Sequence, residues 1–153
     1  MVLEKAVKQA SKILKNHNIH SHELDAQLIL SDIMKVKRES LITNNEVVIS
    51  EKIMEKYDIA VRRRIKREPI AYITGKKEFW SIDFLVNHGT LIPRPETELL
   101  IYKLVNFFKN KRINILDIGT GSGCILLSIL KEINFSRGIG IDISSKAIQM
   151  AEA

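Results

Sequence analysis

The run Asp117-Ile118-Gly119-Thr120-Gly121-Ser122-Gly123 puts glycine at every second position of a loop that follows the apolar segment Ile113 to Ile118. Glycine adopts left-handed backbone without steric cost and leaves no Cβ between the chain and a ligand. The segment Cys124 to Leu130 then opens a helix, whose first N–H groups and dipole favour an electron-rich ligand. A second strand, Gly138 to Asp142, ends in a carboxylate about 20 residues beyond the loop. From that spacing an acid accepts hydrogen bonds from both hydroxyls of a ribose. A ligand-free strand–helix turn is the plainer reading of the glycines, and a helix cap the plainer reading of Asp142. The candidate binding residues are therefore Gly119, Thr120, Gly121, Ser122, Gly123 and Asp142.

Spacing narrows the ligand. The dinucleotide fingerprint G-x-G-x-x-G needs its third glycine at position 124, which is Cys124. The loop is instead G-x-G-x-G preceded by Asp117. That pattern resembles the first motif of class I S-adenosylmethionine (SAM)-dependent methyltransferases, which implies SAM as cofactor, its amino-acid moiety and ribose lying against the loop.

Other groups that could do chemistry have blander readings. His17, His20 and His22 cluster with Asn16, Asn18 and Ser21, but cysteine and acid partners at ligand spacing are missing, so an inter-helix turn is expected rather than a metal. Arg62-Arg63-Arg64 with Lys66 and Arg67 forms a basic run on a helix. It reads as a solvated face, or as a patch that docks an acidic protein surface. Cys124 packs at the start of its helix, and Phe79 and Trp80 read as core, with an aromatic facing the cofactor as the alternative. The lone cysteine excludes an internal disulfide. No apolar run approaches the ~18 residues of a membrane span. The start lacks a signal-peptide core, so a cytoplasmic protein is expected. A formal charge of +6 draws a protein to phosphate, acidic proteins and ribosomal material without choosing among them.

The elements that position the loop follow from periodicity. Val2, Ala6, Ala10, Ile13 and Leu14 recur at helical spacing opposite Lys5, Lys8, Lys12 and Lys15. Ser21 is placed to cap a second helix with Leu24, Leu28, Ile29 and Ile33. Ser50 is placed to cap a third with Ile53, Tyr57, Ala60, Val61 and Ile65. Such short amphipathic helices need one another and predict a small bundle. Glu68-Pro69 ends it. Phe79 to Val86, a turn at His88-Gly89-Thr90 and Leu91-Ile92 predict a β-hairpin. Pro93 to Glu98 starts a helix through Leu99, Leu100, Leu104, Phe107 and Phe108. Strand, helix and strand then predict a βαβ unit of a parallel sheet, with Ser144 capping a further helix.

Three stretches carry a more specific resemblance: Arg67-Glu68-Pro69-Ile70-Ala71-Tyr72-Ile73-Thr74-Gly75, Glu78-Phe79-Trp80, and Leu91-Ile92-Pro93-Arg94-Pro95-Glu96-Thr97-Glu98. Together they resemble the PrmC/HemK family of protein-glutamine N5-methyltransferases. The resemblance implies an α/β protein: a helical bundle that docks substrate over residues 1–74, a β-hairpin linker over 75–93, and the start of a Rossmann-like class I methyltransferase domain over 94–153. It implies transfer of a methyl group from SAM to the side-chain amide nitrogen of the glutamine in the Gly-Gly-Gln loop of class I peptide chain release factors. The family's Asn-Pro-Pro-Tyr motif, which orients that amide, does not occur in this sequence. No catalytic residue is therefore assigned, and the chain is expected to be an inactive portion of a longer polypeptide. Partners expected are release factors and no membrane, with nucleic acid only through a fused tRNA methyltransferase, and the oligomeric state expected is a monomer. The alternatives left open are a nucleic-acid methyltransferase acting on exocyclic adenine nitrogens or tRNA, and a non-catalytic docking module.

Overall fold

A computed structural model describes residues 1–43 and 46–153. Helix α1, Leu3–Asn16, buries Leu3, Ala6, Ala10 and Leu14 on one face and leaves its lysines in solvent. The chain start is pinned beside it: the Leu3 N–H donates to the Val47 carbonyl at 2.8 Å and the Ile49 N–H to the Met1 carbonyl at 2.8 Å. Helix α2, His22–Met34, buries Ile29 and packs Ile33 against the core as expected, but Leu24 is exposed, and Asp25, Ala26, Leu30 and Ser31 complete the buried face. Asp25 turns inward to meet Arg64. Ser21 does not cap α2, since its hydroxyl donates to Asp25 Oδ2 at 2.8 Å instead.

Two short helices, α3 (Arg38–Thr43) and α5 (Ile70–Thr74), were not foreseen; the second begins directly after Pro69, whose carbonyl accepts the Tyr72 and Ile73 N–H groups. Helix α4, Glu51–Ile65, starts as expected, with the Ser50 hydroxyl accepting the Ile53 N–H. It buries Tyr57, Ala60 and Val61 into a core shared with α1 and α2. The Tyr57 hydroxyl donates to the Ala26 carbonyl at 2.9 Å, which satisfies both buried groups.

The basic run on α4 is largely consumed inside this bundle. Arg63 forks onto both carboxylate oxygens of Glu68 at 2.8 and 2.6 Å and reaches the Tyr72 carbonyl. Arg64 Nε donates to Asp25 Oδ2 at 2.7 Å, and Arg67 donates to the His17 and Asn18 carbonyls. Arg62 and Lys66 stay exposed. Arg63 and Arg64 therefore act as a clasp, holding α4 to α2 and to the segment after it, while Arg62, Lys66 and Arg67 keep the exposed side of the run. His17 Nδ1 lies 2.9 Å from the Ile13 carbonyl at the end of α1, and His22 Nδ1 lies 2.8 Å from Ser11 Oγ, which joins α2 to α1.

The chain divides into two compact units, Met1–Thr74 and Gly75–Ala153. The second opens with a hairpin whose turn is not the one expected. Strands β1 (Lys76–Phe79) and β2 (Ile82–Leu85) pair antiparallel, and Trp80 and Ser81 form the two-residue turn with φ of 52° and 55°. Both central residues are left-handed, the backbone that lets a two-residue turn match strand twist. The sequence hides it, because neither residue is glycine or asparagine. Glu98 compensates by accepting the Trp80 N–H at 2.9 Å, and Glu132 accepts Trp80 Nε1 at 2.9 Å. The expected turn at His88 is a separate loop folded on Asn87, whose side chain accepts the Gly89 N–H at 2.7 Å; Leu91 and Ile92 are not a strand.

A single 3-10 turn, Pro95–Thr97, leads into α6, Glu98–Phe108. The residue buried from α6 is Ile101, while Leu99 and Leu100 stay exposed. Strand β3 (Asn114–Ile118), helix α7 (Cys124–Glu132) and strand β4 (Arg137–Ile141) follow, with β3 and β4 parallel and in register from Asn114 opposite Arg137 to Ile118 opposite Ile141; α8, Ser145–Ala151, ends the chain. One face of this two-stranded sheet packs Ile115 beneath Ile129 and Ile133 of α7 and its C-terminal turn. The other face presents Leu116, Ile118, Ile139 and Ile141 at 60, 76, 66 and 46% exposure. Among the described residues no helix is long and apolar enough to cross a membrane.

Candidate cofactor site

The loop between β3 and α7 is left-handed at each glycine, with φ of 80° at Gly119, 58° at Gly121 and 75° at Gly123. Those angles explain the glycines, because a side chain there would be strained. A Cβ built on Gly119 or Gly121 meets no atom within 4 Å, so the backbone at both positions borders open space. A small ligand can therefore lie directly on the chain there.

The loop is tied down on its other side. The N–H groups of Gly119 and Thr120 both donate to the Ile141 carbonyl, at 2.8 and 3.0 Å. The Thr120 hydroxyl donates to Asp117 Oδ2 at 2.8 Å. The Gly121 N–H donates to Asp142 Oδ2 at 2.9 Å, and the Ser144 N–H to Asp142 Oδ1 at 2.9 Å. Asp142 thus bridges the loop and the start of α8. The Ser144 and Gly121 N–H groups hold its carboxyl below the ordinary aspartate range, so it is ionised at neutral pH. Each of its oxygens retains acceptor capacity beyond the one bond it makes here. The helix cap of α8 is Ser144, whose hydroxyl accepts the Ala147 N–H.

The candidate residues fall into two groups. Gly119, Gly121 and Asp142 keep exposed surface, whereas Thr120, Ser122 and Gly123 are buried and shape the loop. Cys124 is not a nucleophile in waiting: burial pushes its thiol up, with the Ser122 hydroxyl opposing.

Two further residues belong to the site, and the sequence carried their signal in the spacing Gly138-Ile139-Gly140. A Cβ on Gly140 would lie 2.8 Å from Thr120 Oγ1 and 3.0 Å from both Thr120 Cβ and Cγ2. A Cβ on Gly138 would overlap Leu126 Cδ1. Both glycines sit on the inward face of β4, where they let the loop and α7 approach the sheet. Glycine at alternate positions of one strand face is a mark of close approach by another backbone or side chain. Among the described residues no cluster of three or more histidine, cysteine or acidic side chains could hold a metal ion.

Residues 5–75 match the family of the PrmC N-terminal domain. The chain is 40% identical over 154 residues to the release factor glutamine methyltransferase of Koribacter versatilis, covering 100% of this chain and 55% of that protein. It is 38% identical over 150 residues to the enzyme of the same name from Buchnera aphidicola subsp. Schizaphis graminum, covering 98% of this chain and 52% of that one. The Caulobacter vibrioides enzyme of that name is 36% identical over 152 residues, covering 99% and 53% respectively. The chain therefore spans about half the length of the curated relatives it matches.

Proposed function

We propose that this chain, which matches the PrmC N-terminal domain over residues 5–75 and aligns along its length with release factor glutamine methyltransferases, forms the substrate-docking and cofactor-binding part of a SAM-dependent protein-glutamine methyltransferase. The observation that carries this reading is the bridge from Gly121 to Asp142 across the tips of two parallel strands, beside glycine backbone open to solvent. The residues suit SAM. An ionised carboxylate at a strand tip accepts from ribose hydroxyls, and open glycines admit an amino-acid moiety to the chain. When bound, SAM supplies a methyl group made electrophilic by its sulfonium. The chain's own contribution is placement: Asp142 and the loop fix the cofactor, while Thr120, Gly138 and Gly140 fix the loop.

The acceptor under this reading is the side-chain amide nitrogen of the Gly-Gly-Gln glutamine in class I release factors. Its lone pair is delocalised, so orientation by neighbouring acceptors carries much of the acceleration. Asn-Pro-Pro-Tyr, which performs that task in the family, is not in this sequence, and these residues on their own are proposed not to catalyse transfer. The two strands begin a Rossmann-like sheet. The bare face of Leu116, Ile118, Ile139 and Ile141 supports this, since an apolar sheet face needs a second layer. The helical unit, Met1–Thr74, is assigned to release-factor docking.

The test is calorimetric titration of SAM into the chain and into Asp142→Ala, beside pull-down of a class I release factor by the helical unit. Binding of SAM that Asp142→Ala abolishes, with capture of the factor, supports the reading. SAM binding indifferent to Asp142 overturns the cofactor assignment, and failed capture overturns the docking assignment.

A further inference from the structure

The glycine loop and Asp142 lie at the C-terminal ends of β3 and β4. At the opposite ends of these five-residue strands, roughly 16 Å away at about 3.3 Å per residue, lies a separate cavity of about 960 Å³. Its walls are the segment after α6 and the turn between α7 and β4, and they carry Lys109, Lys111, Arg112 and Arg137. All four are exposed. Among the described residues none of them pairs with a carboxylate, in contrast to Arg63 and Arg64. Glu132, the acid on the same wall, accepts from Trp80 Nε1.

Aromatic surface accompanies the charge. Phe135 stands on the cavity wall at 86% exposure, held at φ 63°. Left-handed backbone is an outlier for a bulky side chain, so local folding does not account for phenylalanine at this position. Phe107 is 69% exposed, and Lys111 Nζ sits 5.0 Å from its ring centroid. Unpaired cations around a cavity suit phosphates, and exposed rings suit unstacked bases. An acidic peptide would use the cations and leave Phe135 without a part.

We propose that this cavity binds single-stranded nucleic acid, with Lys109, Lys111, Arg112 and Arg137 on its phosphates and Phe135 as its stacking surface. The site lies away from the glycine loop and is independent of the methyl-transfer reading.

Fluorescence anisotropy with a labelled oligouridine of about 12 nucleotides tests it. With four phosphate contacts at about 0.7 counterion each, raising salt from about 50 to 200 mM lowers affinity about 50-fold. Lys111→Ala with Arg112→Ala flattens the logarithmic salt slope by about 1.4. Phe135→Asn weakens binding roughly 5- to 160-fold without changing the slope, and it raises Tm because asparagine tolerates left-handed backbone. Arg62→Ala with Lys66→Ala, in the other unit, leaves binding intact. The proposal is overturned by no binding at the lower salt, by wild-type affinity and slope in the cavity variants, or by loss of binding in the Arg62 and Lys66 pair. Tight binding of an oligoglutamate, insensitive to Phe135, would replace nucleic acid by an acidic protein surface.

Discussion

Gly140→Ala puts one methyl group into space that Thr120 fills. The added carbon meets Thr120 Oγ1 at 2.8 Å and its Cβ and Cγ2 at 3.0 Å, all closer than ordinary van der Waals contact. Thr120 cannot swing aside freely. It is buried, its hydroxyl is bonded to Asp117, and its N–H is bonded to Ile141. The loop must lift from β4, which stretches the Gly121–Asp142 bond. Overpacking of this kind costs about 1–3 kcal/mol. For a unit of this size that corresponds to a fall in Tm of roughly 5–20 °C. SAM affinity falls with it, because the lifted loop no longer shares a surface with Asp142. Thermal melts and calorimetric SAM titration measure both effects. Thr120→Ala in the same background removes two of the three close atoms, so the double variant is less destabilised than the sum of the single changes. A Gly140→Ala protein that melts with the wild type and binds SAM equally would refute the reasoning.

Other consequences are checked as simply. Arg64→Ala leaves the Asp25 carboxylate, 5% exposed, without its guanidinium and destabilises the helical unit by about 3 kcal/mol in denaturant titration, whereas Arg62→Ala stays within about 0.5 kcal/mol. Burial, reinforced by Asp58, raises the Tyr57 hydroxyl pKa far above its ordinary value near 10. The unfolded chain therefore releases this proton first as pH rises. Stability is unaffected below about pH 10 and falls above it by up to about 1.4 kcal/mol per pH unit. Tyr57→Phe removes that dependence while costing about 1 kcal/mol at neutral pH, both readable from melts across pH. Trp80 is the sole tryptophan, so Glu98→Ala, which strips the acceptor from its N–H, shifts the intrinsic fluorescence. An unchanged spectrum would mean that the turn does not depend on Glu98.

What the sequence reveals depends on whether a feature is local. The α1 stripe, the Ser50 cap and the alternate glycines of the loop are written in consecutive residues, and the structure has them where the pattern places them. The Trp80–Ser81 turn was hidden because its left-handed backbone is supported by Glu98 and Glu132, which are distant in sequence. On α2 the expected Ile29 and Ile33 meet the core, but the burial of Asp25 is not legible locally, because it depends on Arg64 arriving from α4. Within the basic run, the pairing of Arg64 with Asp25 and of Arg67 with the Asn18 carbonyl joins residues far apart in sequence, which periodicity does not bring together. At the site, Asp142 and the loop were legible as separate signals. Their direct hydrogen bond, and the fit of Thr120 against Gly140, exist only once β3 and β4 are paired.

The central claim is that the glycine loop and Asp142 together hold SAM, and titrating SAM into wild type and Asp142→Ala tests it most directly. The account predicts binding by the wild-type chain and an affinity at least about tenfold lower in the variant, the equivalent of about 1.4 kcal/mol of lost hydrogen bonding. Equal affinities, or no binding by the wild type, would contradict it.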